Sequence, residues 1–156
     1  MAKKDSLTPP LPFSWNKEKA ADLPIHIYTD GASRGNPGLA GIGVVIRLGD
    51  GTVIEEKRFL GEATNNTAEY EALIHALSIL KDRRLYHPLK IHADSQLMVR
   101  QLNGRYKIKH PHLRKLAGKV HALLKLFPSH EIIYIPRRQN KRADKLANEA
   151  IDERNG

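Results

Sequence analysis

The sequence predicts a single α/β domain built on a mixed five-stranded sheet, and three observations carry that expectation. The chain has 156 residues, a length that ordinarily folds as one domain with a well-filled core. Its apolar residues switch between a period of two and a helical period in the order βββαβααβα. The first three strands are separated by turn signals alone, which makes an antiparallel meander. Each later strand is reached through helices, and right-handed crossovers return both parallel to the first strand.

Residues 1–23 hold three prolines, several charges and no sustained period, which predicts a partly disordered N-terminal tail with Phe13 and Trp15 as its docking groups. The domain itself is expected over residues 24–156. "IHIYTD" alternates, "AGIGVVIRL" is a β-branched run, "GDG" is a hairpin turn and "TVIEEKRFL" alternates again. "NNTAEYEALIHALSILKDRR" puts Ala68, Ala72, Leu73, Ala76, Leu77 and Leu80 on one helical face, with Asn66 as the expected N-cap. "LKIHAD" reads as a short strand, "SQLMVRQLN" as a helix ended by Gly104, and "PHLRKLAGKVHALLKLF" as a helix stopped by Pro128. "EIIYIP" is the last strand and "KRADKLANEAI" the last helix.

Lys and Arg outnumber Asp and Glu by 26 to 17, a net charge of +9, so a polyanion is the leading class of partner. Cysteine is absent, which excludes disulfides and thiolate metal sites and suits a reducing, intracellular setting. There is no run of about 18 apolar residues and no apolar centre of a signal peptide. A soluble, cytoplasmic monomer without a membrane partner is expected.

Four acids stand out by position. Asp30 is expected to end the first strand and Asp94 the strand after the long helix; those strands are parallel, so both acids fall at the carboxyl edge, where α/β sheets usually bind ligands. Glu69 is expected in the first turn of its helix and Asp144 in the first turn of the last helix. Each has an ordinary explanation: a capping-box turn for Glu69, a helix cap for Asp94, a dipole partner for Asp144, an Asx turn for Asp30. Taken together they are harder to dismiss, because four carboxylates brought to one point repel one another unless a cation compensates. Mg²⁺, which prefers carboxylate, water and phosphate oxygens, is the expected cofactor.

The segments "YTDGASRGNPG", "TNNTAEYEAL", "IHADSQLMVRQLNG" and "NKRADKLANEA" occur in this order, and over about residues 25–153 the chain resembles ribonuclease H of type 1. The resemblance implies the ribonuclease H-like fold, with helices on both faces of the sheet, and an endonuclease that cuts the RNA strand of RNA–DNA hybrids, leaving 5′-phosphate and 3′-hydroxyl ends. It also implies two metal ions, Mg²⁺ with Mn²⁺ as a substitute. Asp30 would touch both ions, Glu69 and Asp94 the one on the leaving-group side, and Asp144 the one that holds the attacking water. The glycines after Asp30 are expected to let a nucleic-acid backbone come close.

Asn36, Asn66 and Gln96 match family residues that contact the RNA 2′-hydroxyl or minor-groove edges, and Thr64 and Asn65 match a pocket for a DNA-strand phosphate. Arg105, Lys107, Lys109, Lys115, Arg137, Arg138, Lys141 and Arg142 offer sequence-independent backbone contacts. His110 and His112 flank Pro111, where helix capping or exposure competes with phosphate contact. The chain departs from many relatives in two places. Only "GRYKIKHPH" joins the middle helices, without the basic, tryptophan-containing insertion. The loop "IPRRQNKRAD" lacks the usual histidine, and Arg137 and Asn140 are the candidates for that loop's part in catalysis. Two other readings compete: a non-catalytic nucleic-acid-binding module on the same fold, and a metal nuclease acting on duplex RNA or DNA.

Overall fold

The computed structural model describes residues 23–154, and the tail expected over residues 1–23 lies outside them but for Leu23. The expected order of elements is present: β1 (Ile25–Gly35), β2 (Gly38–Arg47), β3 (Val53–Ala63), α1 (Asn65–Asp82), β4 (Leu89–Ala93), α2 (Gln96–Leu102), α3 (Pro111–Leu124), β5 (His130–Tyr134) and α4 (Lys141–Asp152). A 3-10 turn at Arg137–Gln139 precedes α4. Among the described residues the sheet has five strands in the order β3-β2-β1-β4-β5. β2 runs antiparallel to β1 and β3, and β4 runs parallel to β1 and β5.

Alternation sorts the strand residues onto two faces. Ile25, Ile27, Val44, Ile46, Ile91 and Ile132 meet Leu73, Leu77 and Leu80 of α1 and Leu113, Leu116 and Val120 of α3 in the main core. Burying each such side chain is worth about 1.5–3 kcal/mol over leaving it exposed. The opposite face carries a smaller cluster in which Val45 and Tyr28 pack against Ala143 and Leu146 of α4. β2 is therefore covered on both sides, and Ala40–Ile46 is buried without alternation. Among the described residues no helix is long and apolar enough to cross a membrane.

Several boundaries differ from the sequence expectations. Asp30 does not end β1: the strand continues to Gly35, Asp30 pairs with Gly43 inside the ladder, and the turn signals serve the β1–β2 hairpin further on. Asn66 is not the N-cap of α1. Thr64 is, and its hydroxyl accepts the Thr67 N–H at 3.1 Å. Glu69 consequently sits two residues deeper than expected, at the fifth position after the cap and beyond the reach of a capping box. Ser95, not Asp94, caps α2, which leaves the Asp94 carboxylate free for other partners. α3 ends at Leu124, and tight turns through Leu126 and Phe127 lead to Pro128, since a residue before proline is disfavoured in a helix. His110 does cap α3, its Nδ1 accepting the His112 N–H at 3.2 Å.

Candidate active site

The parallel register places Thr29 opposite Ala93, so Asp30 and Asp94, the next residue of each chain segment, stand level. Glu69 reaches them from α1 because that helix crosses β1 at Gly31. A Cβ on Gly31 would lie 2.3 Å from the Ala68 carbonyl carbon, so only hydrogen fits there. The contact lets the Gly31 N–H donate to Glu69 Oε1 at 3.1 Å. The glycine after Asp30 thus makes room for α1, where a nucleic-acid backbone was expected. One oxygen from each of Asp30, Glu69 and Asp94 lies within 4.8 Å of the others.

Asp144 arrives from the other face. Its helix rests on Gly43, where a Cβ would lie 2.1 Å from the Ala143 carbonyl oxygen. Asp144 is outside the 4.8 Å set, though it is near enough for its charge to act on Asp30. All four acids predicted from the sequence therefore converge, three tightly and one at the margin.

Their electrostatics are strained without a cation. Asp30 is 1% exposed, and its carboxyl is pushed up to about 10, first by burial, then by the charges of Glu69 and Asp94, then by Asp144. Glu69 is pushed up to about 8 by burial and Asp94, while the Gly31 N–H and the Arg137 charge pull it down. Asp30 Oδ1, Thr29 Oγ1 and Asn140 Oδ1 are buried with no hydrogen-bond partner among the described residues, where buried polar atoms are normally paired. An all-oxygen, acid-rich donor set of this kind fits a hard divalent ion such as Mg²⁺.

The loop before α4 separates the two tentative residues. Arg137 is exposed in the 3-10 turn, and its charge reaches Glu69. Asn140 is buried: its Nδ2 donates to the Thr29 carbonyl at 2.8 Å and to Asp94 Oδ2 at 3.2 Å. Sequence reasoning gave Thr29 no role, and its place beside Asp30 is the one signal that marked it.

The expected substrate residues border this cluster. Asn36 Oδ1 accepts the Asn65 N–H at 3.1 Å, and Asn65 Oδ1 accepts the Ser33 N–H at 3.0 Å, which ties the β1–β2 hairpin to the start of α1. Asn66 and Gln96 are exposed. Asn36, Thr64, Asn66, His110 and His112 share a cavity of about 360 Å³. Of the basic residues, Arg142 is engaged by Glu55 through two 2.7 Å hydrogen bonds in an exposed pair. Arg105, Lys107, Lys109, Lys115, Arg138 and Lys141 are exposed.

Known proteins match this chain throughout the domain. The family model described as "Reverse transcriptase-like" matches residues 28–150. "Ribonuclease HI" of Halobacterium salinarum is 45% identical over 130 residues, covering 83% of this chain and 65% of the relative. "Ribonuclease H" of Dechloromonas aromatica is 34% identical over 159 residues, covering 87% of this chain and 99% of the relative. Among solved structures, LC11-RNase H1 in complex with RNA/DNA hybrid has a TM-score of 0.78 at 45% identity, covering 85% of this chain and 99% of that one. The chain spans just under two thirds of the Halobacterium protein and 36% of mycobacterial relatives that are 41% identical to it. With the sheet order, the converging acids and these matches in agreement, the chain belongs to the ribonuclease H family.

Proposed function

We propose that the chain is an endonuclease that hydrolyses the RNA strand of RNA–DNA hybrids with two bound divalent ions, leaving 5′-phosphate and 3′-hydroxyl ends. The observation that carries this reading is the set of Asp30, Glu69 and Asp94 oxygens within 4.8 Å, in a chain of the ribonuclease H family. Asp30, Glu69, Asp94 and Asp144 would hold the ions, Mg²⁺ by preference with Mn²⁺ as a substitute. When bound, such ions activate water and stabilise the leaving 3′ oxygen in an in-line displacement.

The protein's own groups do the rest. β1 and α1 hold Asp30 and Glu69 against rigid backbone, so the oxygens need little reorganisation to meet a cation. Asn36, Asn66 and Gln96 supply donors and acceptors for the ribose 2′-hydroxyl and minor-groove edges. Thr64 and Asn65 lie at the N-terminus of an 18-residue helix, whose partial positive charge favours a DNA-strand phosphate. Arg137 holds the scissile or product phosphate electrostatically; its guanidinium stays protonated and so does not serve as a base. The same reading takes the protein as a cytoplasmic monomer with no membrane partner; the cysteine-free sequence supports a reducing compartment.

The test is one cleavage assay with Mg²⁺ on RNA–DNA, RNA–RNA and DNA–DNA duplexes. Cleavage of the RNA strand of the hybrid alone is the expected result. Equal cutting of duplex RNA or DNA would make this a general metal nuclease, and binding without cleavage would make it a recognition module.

A further inference from the structure

We infer that Asn140 is a positioning residue: its side-chain amide braces the Asp94 carboxylate against β1 and so sets the angle at which Asp94 meets a divalent ion. The inference rests on the two-ion reading above for its chemistry, and on hydrogen-bond geometry for its substance.

Asn140 stands at the N-cap position of α4, where an asparagine ordinarily bonds to the first turn of its own helix. Here its side chain makes no capping hydrogen bond. It turns inward, 2% exposed, and spends Nδ2 on two acceptors, the Thr29 carbonyl at 2.8 Å and Asp94 Oδ2 at 3.2 Å. The orientation of the amide follows from those partners: a carbonyl oxygen turned toward two acceptors would be repelled by both.

The backbone of the same residue completes the connection. The Asn140 N–H donates to the Arg137 carbonyl at 2.9 Å, which closes the 3-10 turn, and the Asn140 carbonyl accepts the Asp144 N–H at 3.1 Å. One residue therefore touches the strand position next to Asp30, the carboxylate of Asp94 and the backbone of Asp144. Asn148 of α4 also links β1 to an acid, accepting from the Arg34 guanidinium at 3.3 Å and donating to Asp144 Oδ1 at 3.3 Å, but its β1 partner is an exposed side chain, whereas Asn140 bonds the β1 backbone beside Asp30. Groups that orient metal-ligating carboxylates through hydrogen bonds typically change metal affinity by about 10–100-fold when removed. Arg137, which joins this network only through its backbone carbonyl and keeps its side chain exposed, is the residue expected to act on substrate phosphate.

The experiment measures Mn²⁺ binding to the hybrid-free protein by calorimetry, and cleavage as a function of Mg²⁺, for the parent and Asn140→Ala. The expected result is metal binding weakened about tenfold. Cleavage should need correspondingly more Mg²⁺, KM for hybrid should stay within twofold, and kcat should recover at saturating metal. Unchanged metal affinity would overturn the inference whatever happens to kcat. A second readout needs no variant: the Asn140 side-chain NH₂ resonances of the parent should be protected from solvent exchange and should shift on Mg²⁺ addition. Rapid exchange with no shift would overturn it equally. A parent that leaves hybrid intact but loses metal affinity on Asn140→Ala would keep this inference and sink the substrate assignment. A parent that cuts hybrid while Asn140→Ala binds metal normally would do the reverse.

Discussion

Glu69 and Asp144 approach Asp30 from opposite faces of the sheet, and the two sides are built differently. Glu69 is buried, takes a backbone hydrogen bond from Gly31, and rides on a helix sunk into the main core. Asp144 is half-buried, and its carboxylate is bonded by Asn148 at 3.3 Å from within its own helix. α4 covers a small apolar cluster. Beyond that cluster, Ala147, Ala150 and Ile151 pack on Gly41 of β2, and the remaining side-chain ties include exposed or partly exposed ion pairs, Arg142 with Glu55, Lys57 with Glu149 and Glu153, and Arg34 with Asp152, each worth about 0–1 kcal/mol. The contrast teaches that half of the acid cluster is fixed by the core, and the other half depends on polar braces that can adjust as cation and substrate arrive.

The largest effect is expected from Asp30→Asn, which strikes the residue shared by both sides. Cleavage should fall by at least about 10³-fold, the scale on which removing a central electrostatic group acts, with an unchanged circular dichroism spectrum. The same variant should alter stability in a diagnostic way. In the metal-free parent the Asp30 and Glu69 carboxyls are raised to about 10 and about 8, so the folded state binds protons that the unfolded chain has released. The stability this gives is fully present below about pH 4 and is lost as pH rises toward about 10. Denaturant titrations from pH 5 to 9 should show stability falling with pH, a slope that saturating Mg²⁺ flattens and Asp30→Asn reduces. Parent stability that rises over that range would contradict the electrostatic account.

An intermediate effect sharpens the comparison. Gly31→Ala and Gly43→Ala each press a methyl group into a helix backbone, at 2.3 and 2.1 Å respectively, and such overpacking typically costs about 1–3 kcal/mol. Although Gly43 is the tighter site by distance, α4 is expected to yield more readily than α1, so Gly31→Ala should cost more in a urea titration. The reverse order would break the contrast between a fixed and an adjustable side. The smallest effect is expected from Arg137→Ala. Turnover should fall by less than the ~10²-fold typical of losing an enclosed oxyanion donor, because this guanidinium is exposed, and kcat should fall more than hybrid binding weakens. Equal kcat in parent and variant would leave the loop as scaffold.

The sequence by itself determined the order of strands and helices, because periods of two and 3.6 are local properties that Ile25, Ile27, Leu73 and Leu77 display wherever the chain is read. It also implied that Asp30 and Asp94 stand level on neighbouring parallel strands once the crossover is right-handed. Its errors were errors of partner. Asp30 was expected at a strand end because glycine, asparagine and proline follow it, yet antiparallel pairing with β2 carried β1 on to Gly35. Thr64 displaced Asn66 as cap, a choice among the neighbouring polar residues Thr64, Asn65 and Asn66 that the helix's final seat on Gly31 settles. The inward turn of Asn140 joins residues 111 and 46 positions apart in the chain, and no local pattern encodes whether a loop amide faces water or a carboxylate. Tertiary structure decided that, because burial withdraws water as a competing partner and leaves the Thr29 carbonyl and Asp94 as the acceptors within reach.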